Sequence, residues 1–129
     1  GIKEDEEIHD WISSLELKVL LEKYPDQLSG GEQIRCALLL ALIHKPDILI
    51  LDEPTRGIDV GTKSEIQKMA VALAKSKGMS VIFISSEMDE MIRTCTKITV
   101  IRDRKKVAEI EGDKVTSENI MKAIAGGEV

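Results

Sequence analysis

The feature that most limits what this chain can fold into is the run Ile48-Leu49-Ile50-Leu51, halted by Asp52-Glu53-Pro54. Four consecutive apolar residues between turn signals suit a short strand covered on both faces, as in a parallel sheet, better than an alternating, half-solvated one. Pro54 has no N–H to give a ladder and biases Glu53 away from the helical region, so the strand is expected to stop at the acidic pair. A second run, Val81-Ile82-Phe83-Ile84 within Ser80 to Ser85, repeats the pattern after a helical stretch from Thr62 to Ser76 that Gly78 closes. Strand, helix and buried strand in that order predict an α/β domain whose largely parallel sheet is flanked by helices.

The remaining segments fit around this unit. Ile8, Trp11, Ile12, Leu15, Val19 and Leu20 recur at three- and four-residue steps, which predicts an amphipathic helix or helix pair from about Glu7 to Glu22, ended by Pro25. Gly30 to His44 is helical in length and apolar on most sides, as a helix buried between a sheet and other helices would be. A short helix from Glu87 to about Thr94 follows the second strand. After it come strands Lys97–Ile101 and Lys106–Ile110 around the charged turn Asp103-Arg104-Lys105. Thr116 or Ser117 caps a last helix, which Gly126-Gly127 closes.

Composition narrows the function classes. With 43% hydrophobic residues in 129, the chain has enough apolar mass for one core. Its formal charge of −5 argues against a general polyanion binder, so nucleic acid is not an expected partner. The longest apolar run, Cys36 to Ile43, is too short to cross a bilayer, and membrane attachment would have to come through a partner. Cys36 and Cys95 form no CxxC pair and have no histidine cluster near them, which argues against a zinc site or disulfide framework.

Two places carry chemistry. Ser29-Gly30-Gly31 precedes the second helix, where glycine amides and the positive end of the helix dipole suit a phosphate. Ser29 with Glu32 three residues on is equally a capping box that needs no ligand, and alone the turn reads that way. The balance shifts with Asp52 and Glu53, because ligands of open α/β sheets gather at the carboxyl ends of strands. Asp52 is placed to hold Mg²⁺ through water, and Glu53 to orient or deprotonate an attacking water.

In this order and separation, "LSGGEQ" at Leu28–Gln33 and "ILILDEP" at Ile48–Pro54 resemble the signature motif and Walker B strand of the ATP-binding-cassette (ABC) family. "RGID" at Arg56–Asp59 is similar to its D-loop. The likeness covers essentially the whole chain. "EPTRGIDVGTKSEI", "FISSEMDE" and "TSENIMKAIAGG" are similar to the second cassette of tandem subunits that drive ribose-, galactose- and xylose-type monosaccharide importers.

The resemblance implies part of a P-loop NTPase fold, with residues 1–29 in the helical signature subdomain and 30–129 in the α/β core. It implies ATP and Mg²⁺ as ligands, and a second nucleotide-binding cassette as partner. It also implies transmembrane permease subunits, a sugar-binding protein reached indirectly, and a peripheral place on the cytoplasmic face of the membrane. Ser29, Gly30, Gly31 and Glu32 would complete a site built mainly by the partner cassette, whereas Asp52 and Glu53 would belong to this cassette's own site, and Asp59 and Ser86 would also contribute to nucleotide binding. A ribosome- or DNA-acting cassette ATPase and a non-hydrolysing regulatory cassette share these motifs; the first would carry basic insertions or coiled-coil arms.

Two departures stand out. No GxxxxGK[ST] run occurs between Gly1 and Val129, so the 129 residues alone are expected to be an inactive fragment that exposes apolar sheet surface and self-associates. Ser86 stands where the family's switch histidine is found, and serine can hydrogen-bond a phosphate without presenting an imidazole. A third, lesser departure is Leu40 in place of a common arginine, and tighter packing is expected there.

Overall fold

In the computed structural model, which describes residues 2–76 and 78–129, two compact units divide inside one strand, as Gly1–Ile82 and Phe83–Val129. The first contains α1 (Ile2–Ser14), α2 (Gly30–Ile43), β1 (Ile48–Asp52), α3 (Val60–Ser76) and the start of β2 (Ser80–Ile84). Single 3-10 turns at Lys18–Leu20 and Pro25–Gln27 carry the chain from α1 to α2, replacing the rest of the expected helix pair. β1 and β2 are neighbours in a two-stranded sheet and are joined through α3, the crossover that parallel neighbours require.

Burial in this unit follows the two periods expected of its elements. Leu38 and Leu42 on α2, and Ile66, Ala70 and Leu73 on α3, repeat at helical steps, and α2 packs on both α1 and α3. On β1 burial strictly alternates. Leu49 and Leu51 are buried, but Ile48 and Ile50 are 57% and 60% exposed. The strand covered on both faces is therefore corrected to one with an open apolar face, because only the side that carries the leucines is buried. The helix buried on most sides is corrected likewise: Leu40 is 65% exposed, so the tighter packing expected around it is absent.

The second unit holds α4 (Met88–Thr94), β3 (Lys97–Arg102), β4 (Lys105–Glu111) and α5 (Ser117–Ala125). β3 and β4 pair antiparallel with an irregularity at Val100/Ile101. Ile98, Val100, Ile110, Ile120 and Ala123 form its core, with Met88, Met91 and Ile92 packed on them. The opposite hairpin face is ionic, and Lys106 and Lys97 on either side hold the Glu109 carboxyl down to about 2. Thr116 caps α5 by accepting from the Asn119 amide, and Gly126 ends it at φ 90°.

The hairpin turn has two residues, not three. Asp103 and Arg104 sit at φ 51° and 64°, the doubly left-handed form that matches strand twist and favours glycine at its second position. Arg104→Gly is therefore expected to stabilise the chain by about 1 kcal/mol, read as a higher urea midpoint at unchanged slope.

Candidate functional site

The turn before α2 is closed by reciprocal hydrogen bonds. The Glu32 amide donates to Ser29 Oγ at 3.2 Å, and the Ser29 amide donates to Glu32 Oε1 at 3.1 Å. Ser29 is extended (φ −65°, ψ 163°) while its carbonyl accepts from the Gln33 amide at 2.9 Å, as an N-cap requires. These bonds engage the amides of Glu32 and Gln33, and those of Gly30 and Gly31 remain at the positive end of a 14-residue helix for an external acceptor. The Ser29 amide holds the Glu32 carboxyl below the usual carboxylate range, helped by the Ser29 side chain and by Lys23 at 3.6 Å. A carboxyl shifted down contributes stability that is present above its unfolded pKa and is lost as pH falls from there through its folded one.

Packing explains the glycines independently of any ligand. A Cβ on Gly31 would lie 2.0 Å from Thr62 Cγ2, and one on Gly30 would lie 2.7 Å from Ile58 Cδ1. The N-terminal turn of α2 thus rests directly on the N-terminal turn of α3. That second turn is capped by Asp59, whose Oδ2 accepts from the Thr62 amide at 3.1 Å and whose carbonyl accepts from Lys63 at 2.9 Å. The Thr62 amide also keeps the Asp59 carboxyl below its ordinary range. The expected start of this helix at Thr62 is accordingly moved to Val60. An aspartate N-cap was the sequence signal for it, masked by Gly61.

β1 ends at Asp52, which is exposed, and hands over to a half-buried Glu53 at φ 45°. A left-handed non-glycine residue next to a strand end is unusual and costs roughly 1–2 kcal/mol. A tight turn follows, with the Arg56 amide donating to the Glu53 carbonyl at 3.2 Å, and Ile58 to Thr55 at 3.2 Å. Thr55 is buried in this turn. Glu53→Gly is expected to be more stable than Glu53→Ala by about 1 kcal/mol in urea unfolding. Both variants lose the carboxylate and its interactions, so the difference isolates the backbone.

Among the described residues, no group of three or more His, Cys, Asp or Glu side chains is arranged to cage a metal. The exposed carboxylate of Asp52 is compatible in its chemistry with Mg²⁺, an ion that retains much of its water and uses only one or two carboxylates. The sequence-derived residues Ser29, Gly30, Gly31, Glu32, Asp52, Glu53 and Asp59 all lie in the first unit, and Ser86 lies in the second. Contact joins the signature glycines to the segment Ile58–Thr62 that Asp59 caps. Ile58, Thr62 and Arg35, which ties α2 to Glu65 of α3, were not singled out from sequence. A groove of about 220 Å³ lined by Trp11, Leu42, Ile43 and Lys45 lies at the other end of α2, on the order of 20 Å away along the helix.

A family model described as ABC transporter matches residues 3–56. The fructose import ATP-binding protein of Bifidobacterium longum is 50% identical over 103 residues, covering 79% of this chain and 20% of the relative. The ribose import ATP-binding protein of Caldanaerobacter subterraneus is 39% identical over 130 residues, covering 98% of this chain and 25% of that protein. This chain thus spans between a fifth and a quarter of the length of these two relatives. An ATP-binding cassette of an ABC transporter, crystallised in its ADP conformation, superposes at a TM-score of 0.78 with 24% identity, over 95% of this chain and 46% of its own. CbiO1 from Clostridium perfringens, part of an ABC transporter complex, does so at 0.80 with 26% identity, over 91% and 47%. No helix among the described residues is long and apolar enough to cross a membrane.

Proposed function

We propose that this chain is part of an ABC transporter cassette, as the match to that family model over residues 3–56 suggests, and that it supplies the signature turn, Walker B carboxylates and D-loop to composite ATP sites that power import of a monosaccharide. The observation that supports this most is the pairing of two half-sites in one unit. A capped helix start has Gly30 and Gly31 amides to offer, and Asp52 and Glu53 end a strand. The sugar is suggested by the fructose and ribose import proteins that the sequence matches.

In this reading residues 1–29 belong to the helical subdomain and 30–129 to the α/β core. Ser29, Gly30 and Gly31 donate to the terminal phosphate of ATP gripped mainly by a second cassette, with Glu32 holding the turn in shape. Asp52 would hold Mg²⁺, which when bound would offset phosphate charge. Glu53 orients the attacking water and accepts its proton. Asp59 sets the D-loop by capping α3, and Ser86 stands where a histidine would face the phosphate, which leaves this cassette's own site the weaker one. Transmembrane permease subunits carry the sugar, a sugar-binding protein delivers it, and the cassette sits on the cytoplasmic membrane face.

The 129 residues alone are then inactive, because the phosphate-cradling loop lies outside them. ATP is expected to bind this chain with a Kd weaker than about 1 mM by calorimetry. The full-length protein binds ATP and hydrolyses it in the presence of its permease. Tight binding by the 129 residues would overturn the composite-site reading. The open apolar face of Ile48 and Ile50 gives the isolated chain a surface for self-association, which concentration-dependent light scattering would register.

A further inference from the structure

The turn from β2 into α4 is fastened through one hydroxyl. Ser85 Oγ donates to Glu90 Oε2 at 2.5 Å and accepts from the Glu87 amide at 3.0 Å. Glu87 stands at the N-cap of α4, and Glu90 at the third helical position. A glutamate there ordinarily reaches back to the N-cap amide directly, as Glu32 does to Ser29 at the start of α2. In this turn the Ser85 hydroxyl is inserted between the two, so carboxylate, hydroxyl and amide form a chain that closes around Ser86. Glu90 is 2% exposed, and the Thr94 hydroxyl donates to its carbonyl at 2.7 Å one turn further along α4. Burying a carboxylate this far costs free energy that its hydrogen bonds must recover, and an apolar side chain in its place would avoid the cost. Ser86, between the two anchored neighbours, is exposed.

We infer that Ser85 and Glu90 are positioning residues for Ser86: the buried carboxylate orients the Ser85 hydroxyl, that hydroxyl holds the Glu87 amide, and the short arc between them presents Ser86 in one setting. The inference rests on the proposed function, in which Ser86 stands where a histidine would face the phosphate. A serine hydroxyl reaches one bond beyond Cβ and gives a single proton, so backbone placement decides whether it meets a phosphate oxygen. Ser85 itself is not the phosphate donor, because its proton is given to Glu90.

The test uses the full-length protein assembled as a cassette pair and carrying Ser29→Arg, which silences the site completed by the signature turn. Single-turnover release of labelled phosphate from ATP then reads this cassette's own site. Ser86→Ala is expected to slow that release about tenfold, as loss of one hydrogen bond to a charged group does. Ser85→Ala and Ser85→Val should slow it comparably, and Ser85→Thr, which keeps the hydroxyl, should retain most of the rate. In a Ser86→Ala background Ser85→Ala should have no further effect on the rate, although it lowers Tm alike in both backgrounds, a pattern that a purely structural role does not give. Where Ser85→Ala fails to assemble, Glu90→Gln, with the same shape and a weaker acceptor, should slow release by a smaller factor and only while Ser86 is present. A further loss on adding Ser85→Ala to Ser86→Ala, or an unchanged rate in Ser85→Ala alone, overturns the positioning role and leaves the proposed function standing. An unchanged rate in Ser86→Ala, with release stopped by Glu53→Gln, overturns the placement of Ser86 in the proposed function and the inference with it. Absence of any release from the Ser29→Arg parent also overturns the inference, because this cassette's own site would then perform no reaction for Ser86 to assist.

Discussion

Ser29→Arg in the full-length, assembled protein is expected to reduce ATP hydrolysis by about 100-fold or more, the usual loss when a donor aimed at developing charge is removed. The effect has two parts, which a second variant separates. Arginine forfeits the oxygen that accepts from the Glu32 amide, which costs on the order of 1 kcal/mol of helix stability, and it fills the space before the Gly30 and Gly31 amides. Ser29→Asp preserves a good cap but places a negative charge where the triphosphate must approach. Retained stability with lost hydrolysis in Ser29→Asp would assign the defect to the anion site. Glu53→Gln should reduce turnover by less, because in the proposed function it affects only this cassette's own, weaker site. The assignment fails if Glu53→Gln abolishes hydrolysis while Ser29→Arg leaves it at the wild-type level.

Gly31→Ala is expected to destabilise the 129-residue chain by about 1–3 kcal/mol, in spite of alanine's better helix propensity. The added methyl would stand 2.0 Å from Thr62 Cγ2, an overlap that α2 and α3 must separate to relieve. Thr62→Ser removes that carbon while leaving the Thr62 amide on Asp59, so the double variant should recover much of the loss. Gly30→Ala should be milder, because its clash is with the far end of the Ile58 side chain, which can rotate away. Urea midpoints of the four variants check this. Equal stability of Gly31→Ala and the parent would mean that the two helix starts are not in contact.

The elements readable from sequence were those set by local chemistry. The β1 run, the Ser29–Glu32 cap and the Thr116 cap with Gly126 beyond it each depend on neighbours within a few residues, and each was found where expected. The reach of α3 back to Val60 was hidden because Gly61 weakens a helical pattern that Asp59 in fact initiates. Contacts across sequence were not readable at all. Nothing around Gly31 announces that Thr62 lies over it, and nothing around Arg35 names Glu65 as its partner. Runs such as Ile48–Leu51 tell that both sides of a strand are apolar; which of them is covered depends on what lies alongside. Glu53 shows the same limit for the backbone, since a proline after it argues against a right-handed helix without predicting a left-handed residue.

The serine and glutamate that lock the start of α2 onto itself do so through each other's amides, with groups the chain itself supplies. A loop that took shape only around its ligand would surrender conformational freedom at every encounter, which weakens affinity and slows recognition. Here that entropy is already lost during folding. In the proposed composite site an arriving nucleotide would meet a turn already set in shape, so closure against a second cassette would draw on nearly all of the interaction energy these amides provide.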